Sequence, residues 1–153
     1  MSRDFAELLA SLNDHNVEYL IVGSTVLAFL GRPRYTEDLD IWVRATEKNI
    51  DLLGTALESF GAPLNRERLA EMHLAKDKMI VLGAAPTAVD ILNQIKGLDF
   101  DDAWANRSHA ELFGVKAPIL GRDDFVRSKR AAGRAKDLAD LAILAEAEGS
   151  EDP

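Results

Sequence analysis

The chain has no cysteine, so disulfides, thiolate metal sites and cysteine nucleophiles are excluded. No apolar run approaches the roughly 18 residues needed to span a bilayer. The opening stretch MSRDFAELLASLNDHN carries acids and resembles neither a signal peptide nor an anchor. A cytoplasmic protein without membrane contact is expected. Cations are also scarce: 18 Lys and Arg stand against 26 Asp and Glu, a formal charge of −8. That balance disfavours broad electrostatic attraction to nucleic acid, which relies on clustered cations displacing counterions. Six of the 18 cations nevertheless fall between Arg122 and Lys136, against only Asp123 and Asp124 as acids in that stretch.

At 153 residues, 47% hydrophobic and 29% charged, the chain suits one globular domain with its own core. The expected layout is a single domain over residues 1–148 and a frayed tail over 149–153. Ser2 is read as the cap of a first helix whose Phe5, Leu8, Leu9 and Leu12 form one apolar face. Val17 to Val22 reads as a buried strand running into a turn at Gly23, followed by a short helix over Thr25 to Leu30 and a loop through Arg32, Pro33 and Arg34. Leu39 to Val43 is predicted as the second strand, and Thr46 as the cap of a helix with Ile50, Leu53, Leu57 and Phe60 inward, stopped at Gly61. Asn65 to Asp77 reads as a loop with at most one helical turn. Met79 to Leu82 and Ala88 to Leu92 are predicted as two strands of a hairpin joined across Gly83, Ala84, Ala85 and Pro86. A small helix around Trp104, extended pieces at Glu111 to Phe113 and Pro118 to Leu120, and a final helical region from Phe125 to Ala147 with a break at Gly133 complete the order. Leu138, Leu141, Leu144 and Ala145 are expected inward there. Alternating strands and helices indicate an α+β or α/β core, a mixed sheet flanked by helices with a C-terminal helical region.

Gly23 and Ser24 end the first strand, and after thirteen intervening residues come Asp38 and Asp40, separated by Leu39. Residues two apart on a strand share a face, so both carboxylates point the same way while Leu39 and Ile41 enter the core. Aligned carboxylates raise one another's pKa unless a cation compensates. Asp90 interrupts a second apolar strand, where an unpaired carboxylate is costly. If the two strands are neighbours, Asp38, Asp40 and Asp90 supply three oxygen donors, a set suited to Mg²⁺ rather than zinc. Gly23 allows backbone N–H groups to approach phosphates, and Ser24 adds a hydroxyl donor where a helix begins. Lys129 and Arg130 are the favoured phosphate-facing cations of the last helical region, with Lys136 about two turns on. The competing reading of that basic segment is a solvated helix pairing with Asp137 and Asp140. Trp42 shares Asp40's face as a candidate substrate contact, with Trp104 and Tyr35 more readily core or rim. His15, His73 and His109 have no metal-ligand spacing and read as structural or exposed.

The stretch VGSTVLAFLGRPRYTEDLDIWV resembles the signature of the DNA polymerase β-like nucleotidyltransferase superfamily: an apolar residue, Gly, Gly or Ser, a variable stretch, then acid, apolar, acid, apolar. Asp90 in AVDIL matches that family's third acid. The ending KRAAGRAKDLADL is similar to the last helix of small bacterial members, including those in toxin and antitoxin pairs. The resemblance implies nucleotidyl transfer from a nucleoside triphosphate such as ATP to an acceptor hydroxyl, with pyrophosphate released. It implies two Mg²⁺ ions, or Mn²⁺, held by Asp38, Asp40 and Asp90, with the nucleotide at Gly23, Ser24, Lys129, Arg130 and Lys136. The acceptor it favours is an RNA end or a partner protein, and a partner or homo-oligomer would complete the acceptor side. A non-catalytic antitoxin or regulatory module of the same fold, and a metal-dependent phosphohydrolase or nuclease, are the alternatives.

Overall fold

A computed structural model describes residues 2–31, 38–84 and 87–151. Helix α1 (Ser2–Asp14) leads to strand β1 (Tyr19–Val22) and the short helix α2 (Ser24–Phe29). Strand β2 (Leu39–Val43), helices α3 (Glu47–Phe60) and α4 (Arg66–Leu74), and strands β3 (Met79–Ala84) and β4 (Thr87–Leu92) follow. Then come α5 (Phe100–Ala105), β5 (Ser108–Leu112), β6 (Val115–Ile119), α6 (Arg122–Ala132) and α7 (Ala135–Glu151). The six strands form one mixed sheet in the order β3-β4-β2-β1-β6-β5. β2 pairs with β4 and β1 with β6 in parallel, and the other three pairings are antiparallel. The α+β architecture expected from the alternation of elements is the one present. No helix among the described residues is long and apolar enough to cross a membrane.

The register explains why the sheet has two unlike faces. Ile80, Ile91, Ile41, Ile21 and Ile119 are cross-strand neighbours in one row, each no more than 2% exposed. β-Branched side chains suit such a pleated surface, and burying each contributes about 1.5–3 kcal/mol. Helix α1 covers this face, with Phe5 and Leu8 bordering the same small cavity as Leu82 and Val89. One residue along, the row on the opposite face reads Val81, Asp90, Asp40, Val22. The core therefore lies behind the sheet, and the acids stand in front.

Local chemistry fixes the flanks. Thr46 caps α3 by accepting from the Asn49 N–H, as its position before the helix foretells. Asn49 itself is buried; its amide donates to the carbonyls of Glu18 and Arg44 and accepts from Glu18 N–H, joining the start of β1 to the end of β2. Helix α4 departs from the expected loop. Only Met72 is buried in it, so no apolar stripe marks it, and it is held by the Asn65 cap and by Leu69 packed on Gly54 of α3. The two extended pieces expected near Phe113 are a hairpin, closed by a two-residue turn with Phe113 at φ 53° and Gly114 at φ 80°. Positive φ at both positions matches the twist of paired strands.

The last helical region divides at Gly133 (φ 62°), as its glycine predicts, but the inward face differs from the expected one. Leu138 is 54% exposed and Ala145 is exposed, Leu141 is half-buried, and the buried positions are Asp137, Asp140, Leu144 and Ala147. Ion pairing of the two aspartates with α6 turns the helix that way. Helix α7 continues to Glu151, through the first part of the expected tail. Gly83 and Ala84, expected in the hairpin loop, extend β3 and pair with Ala88 and Thr87; the rest of that loop, Ala85 and Pro86, the loop holding Arg32, Pro33, Arg34 and Tyr35, and residues 152–153 lie outside the described residues.

Candidate active site

Strand β1 ends at Val22, opposite Asp40 of β2, and the chain then turns at Gly23 with φ 76°. A Cβ placed on Gly23 would lie 3.0 Å from Asp40 Cγ and nearer still to its Oδ2. Both the left-handed backbone and the contact with the acid demand glycine there. Ser24 opens α2 directly after it. Asp38 is exposed, two residues before Asp40, and its Oδ1 accepts from the Ala88 N–H at 3.3 Å, which ties it to the start of β4. Asp90 is the direct register partner of Asp40 on β4.

The electrostatics follow from this placement. Burial first, then the charge and hydrogen bond of Asp90 and the charge of Asp38, push the Asp40 carboxyl up to about 6, while the Lys129 ammonium opposes them. Among the described residues no three His, Asp or Glu side chains already form a closed metal cage. The donor chemistry nonetheless fits a hard divalent cation: Asp40 and Asp90 are side by side on neighbouring strands, and Asp38 precedes Asp40 by two residues. Three carboxylate oxygen donors match Mg²⁺ or Mn²⁺.

A cleft of about 620 Å³ opens beside Asp40. Val22, Gly23, Ser24 and Asp40 form one wall, and Phe125, Ser128, Lys129, Arg134, Lys136, Asp137 and Asp140 of the α6–α7 region form the other. Lys129 is 15% exposed and bonds both Asp137 and Asp140, so the pairing weighed for the basic segment is present together with a position on the cleft. Arg134 chiefly, then Lys129, holds the Asp137 carboxyl down at about 2 against the opposing effect of burial. Lys136 is exposed and borders the cleft. Arg130 is exposed on another side of α6, around a shallow groove with Arg122 and Arg127, and does not line the acid cleft.

Trp42 shares the acid face but is only 2% exposed, covered edge-on by Phe100 of α5 at 5.0 Å. That cover removes it from solvent and from the cleft lining. None of the histidines lines the cleft; His15 contacts the Ser11 carbonyl through Nδ1 at 2.8 Å. Sequence reasoning did not anticipate Phe125, Gln94 or Lys96 at the cleft. Lys96 and Gln94 follow β4 closely, and their proximity to Asp90 in the chain was the available signal.

A family model described as "Nucleotidyl transferase of unknown function (DUF2204)" matches residues 1–151. No curated protein matches the sequence. Among solved structures, a putative nucleotidyltransferase from Thermotoga maritima is similar, at 18% identity and a TM-score of 0.62, over 92% of this chain and 89% of that one. An antigenic nucleotidyltransferase-like protein from Paracoccidioides brasiliensis aligns at 18% identity and a TM-score of 0.59, over 99% of this chain and 77% of that one. The antibiotic-resistance factor ANT(2'')-Ia aligns at 12% identity and a TM-score of 0.58, over 98% and 85%. At these identities the structural likeness concerns the fold.

Proposed function

Since the chain belongs to the nucleotidyl transferase family whose model spans residues 1–151, we propose that it moves a nucleoside monophosphate from a nucleoside triphosphate to an acceptor hydroxyl. The observation that supports this reading is the row Asp90–Asp40–Val22, with Gly23 directly after Val22, which brings two acids and the glycine turn together at one sheet face. Gly23 and Ser24 receive the triphosphate tail, and Lys129 and Lys136 face it from the other cleft wall. Arg130 guides it only from outside the cleft. Asp38, Asp40 and Asp90 would hold two Mg²⁺ ions, which supply charge neutralisation and a clamp on the attacking and leaving oxygens when bound.

The transfer itself requires one bond made and one broken. The acceptor oxygen bonds the α-phosphorus as the bond to pyrophosphate breaks, and the acceptor proton passes towards Asp90, on the far side of Asp40 from Gly23. Positioning and electrostatics dominate such a reaction because little covalent chemistry falls to the protein. The favoured acceptor is macromolecular, an RNA end or a partner protein, in keeping with the C-terminal resemblance to members of toxin and antitoxin pairs.

Incubation of the protein and Mg²⁺ with each labelled nucleoside triphosphate, plus pooled RNA and protein, tests this reading. Label should enter one fraction with release of pyrophosphate, and Asp38→Ala with Asp40→Ala should abolish it. Labelling that survives those changes overturns the mechanism. No labelling, and no rise in melting temperature with Mg²⁺ and triphosphate, would favour a non-catalytic module. Released inorganic phosphate or cut nucleic acid would favour a phosphohydrolase or nuclease.

A further inference from the structure

The cleft wall facing Gly23 and Asp40 holds more buried charge than packing requires. The Lys129 ammonium lies 3.3 Å from Asp137 Oδ1 and 3.1 Å from Asp140 Oδ2. Those carboxylates, three residues apart on α7, are 1% and 6% exposed. Arg134 reaches Asp137 from a mostly exposed position, with Nε at 2.6 Å from Oδ2. Desolvating several charges is costly, and apolar side chains of similar volume often hold helices together as well or better. The ion pairs join α6 to α7, but that adhesion alone does not require charged groups at these positions.

The geometry of the ammonium does. A lysine carries three N–H donors on a flexible stem with many rotamers. Two donors face Asp137 and Asp140, and the Phe125 ring lies 5.4 Å from Nζ. Two acceptors and a ring leave the stem little freedom. Lys129 borders the cleft, and its charge is felt at Asp40 across it. We propose that Asp137 and Asp140 are positioning residues, which fix Lys129 at the cleft wall so that its remaining N–H meets the phosphates of the nucleotide. The assignment rests on the nucleotidyl transfer reading, and it has the two aspartates, which border the same cleft, act through Lys129. Buried carboxylates thereby do for a cation what a preorganised shell does for any binding group: they settle its orientation before the ligand arrives.

Calorimetric titration of the full chain in Mg²⁺ with inorganic pyrophosphate tests this, because that probe carries phosphates without base or acceptor. Asp140→Asn should weaken binding about tenfold, and Asp140→Glu should restore part of the loss. In turnover, KM for the triphosphate should rise more than kcat falls. Binding by Asp140→Asn equal to or tighter than wild type would mean that the aspartates merely sequester Lys129, and the proposal falls. Should Asp140→Asn fail to fold, Lys129→Arg carries the test: it keeps the charge but not the compact ammonium, and should keep the melting temperature while losing affinity. Unchanged affinity in that variant also overturns the proposal. A wild type that takes no pyrophosphate sinks the nucleotidyl reading as well, whereas good wild-type binding with indifferent variants sinks the positioning role alone.

Discussion

Asp40 is half-buried beside two other carboxylates, and its carboxyl sits at about 6 instead of the ordinary 3.8. An acid raised in the folded state costs nothing at low pH, where both states are protonated. The cost grows as pH rises through the unfolded value and is complete above the folded one. In chelated, metal-free protein Asp40→Asn should therefore raise stability by on the order of 1 kcal/mol at about pH 7.5 and leave it unchanged near pH 3.5. Urea denaturation at the two pH values measures this; an equal difference at both would show that the carboxylate's charge is not the cause. The same conflict made the site legible in the sequence. Asp38, Asp40 and Asp90 are polar residues in or beside strands that otherwise want apolar ones, and Gly23 stands where a strand must turn sharply. Residues that fit their local surroundings badly are the ones reading by pattern can find.

Helix pairing shows where pattern fails. Periodicity placed Leu138 and Ala145 inward, but the buried side of α7 carries Asp137 and Asp140 because Lys129 meets them from eight and eleven residues away. A contact between two helices has no trace in the spacing of either one. Helix α4 was illegible for a related reason: its support is a cap at Asn65 and the closeness of Gly54, not an apolar stripe. Acid should loosen the α6–α7 pair first. The Asp137 carboxyl, held at about 2 by Arg134 and Lys129, contributes stability above the unfolded value of 3.8 and loses it as pH falls towards 2. Amide protection factors in α7 should drop between about pH 4 and pH 2 while β1 and β2 stay protected, and Asp137→Asn should show low α7 protection throughout. Simultaneous loss across sheet and helix would place the acid sensitivity elsewhere.

At the scale of the whole molecule the sheet separates stability from chemistry. The isoleucine row faces α1, and the acids occupy the next row on the other face. Ile41→Ala should cost about 2–5 kcal/mol, read as a lower melting temperature. The fraction still folded should hold Mg²⁺ and pyrophosphate within about twofold of wild type, because Ile41 points away from Asp40. Affinity lost in the folded fraction would show that the two faces are coupled. The acid row also spans distant parts of the chain, with Asp40 and Asp90 fifty residues apart yet side by side. During synthesis Asp38 and Asp40 leave the ribosome well before β4 exists to join them. A nascent chain thus lacks the complete acid group, and a cation held by all three carboxylates, as proposed, would enter only after β4 has docked on β2.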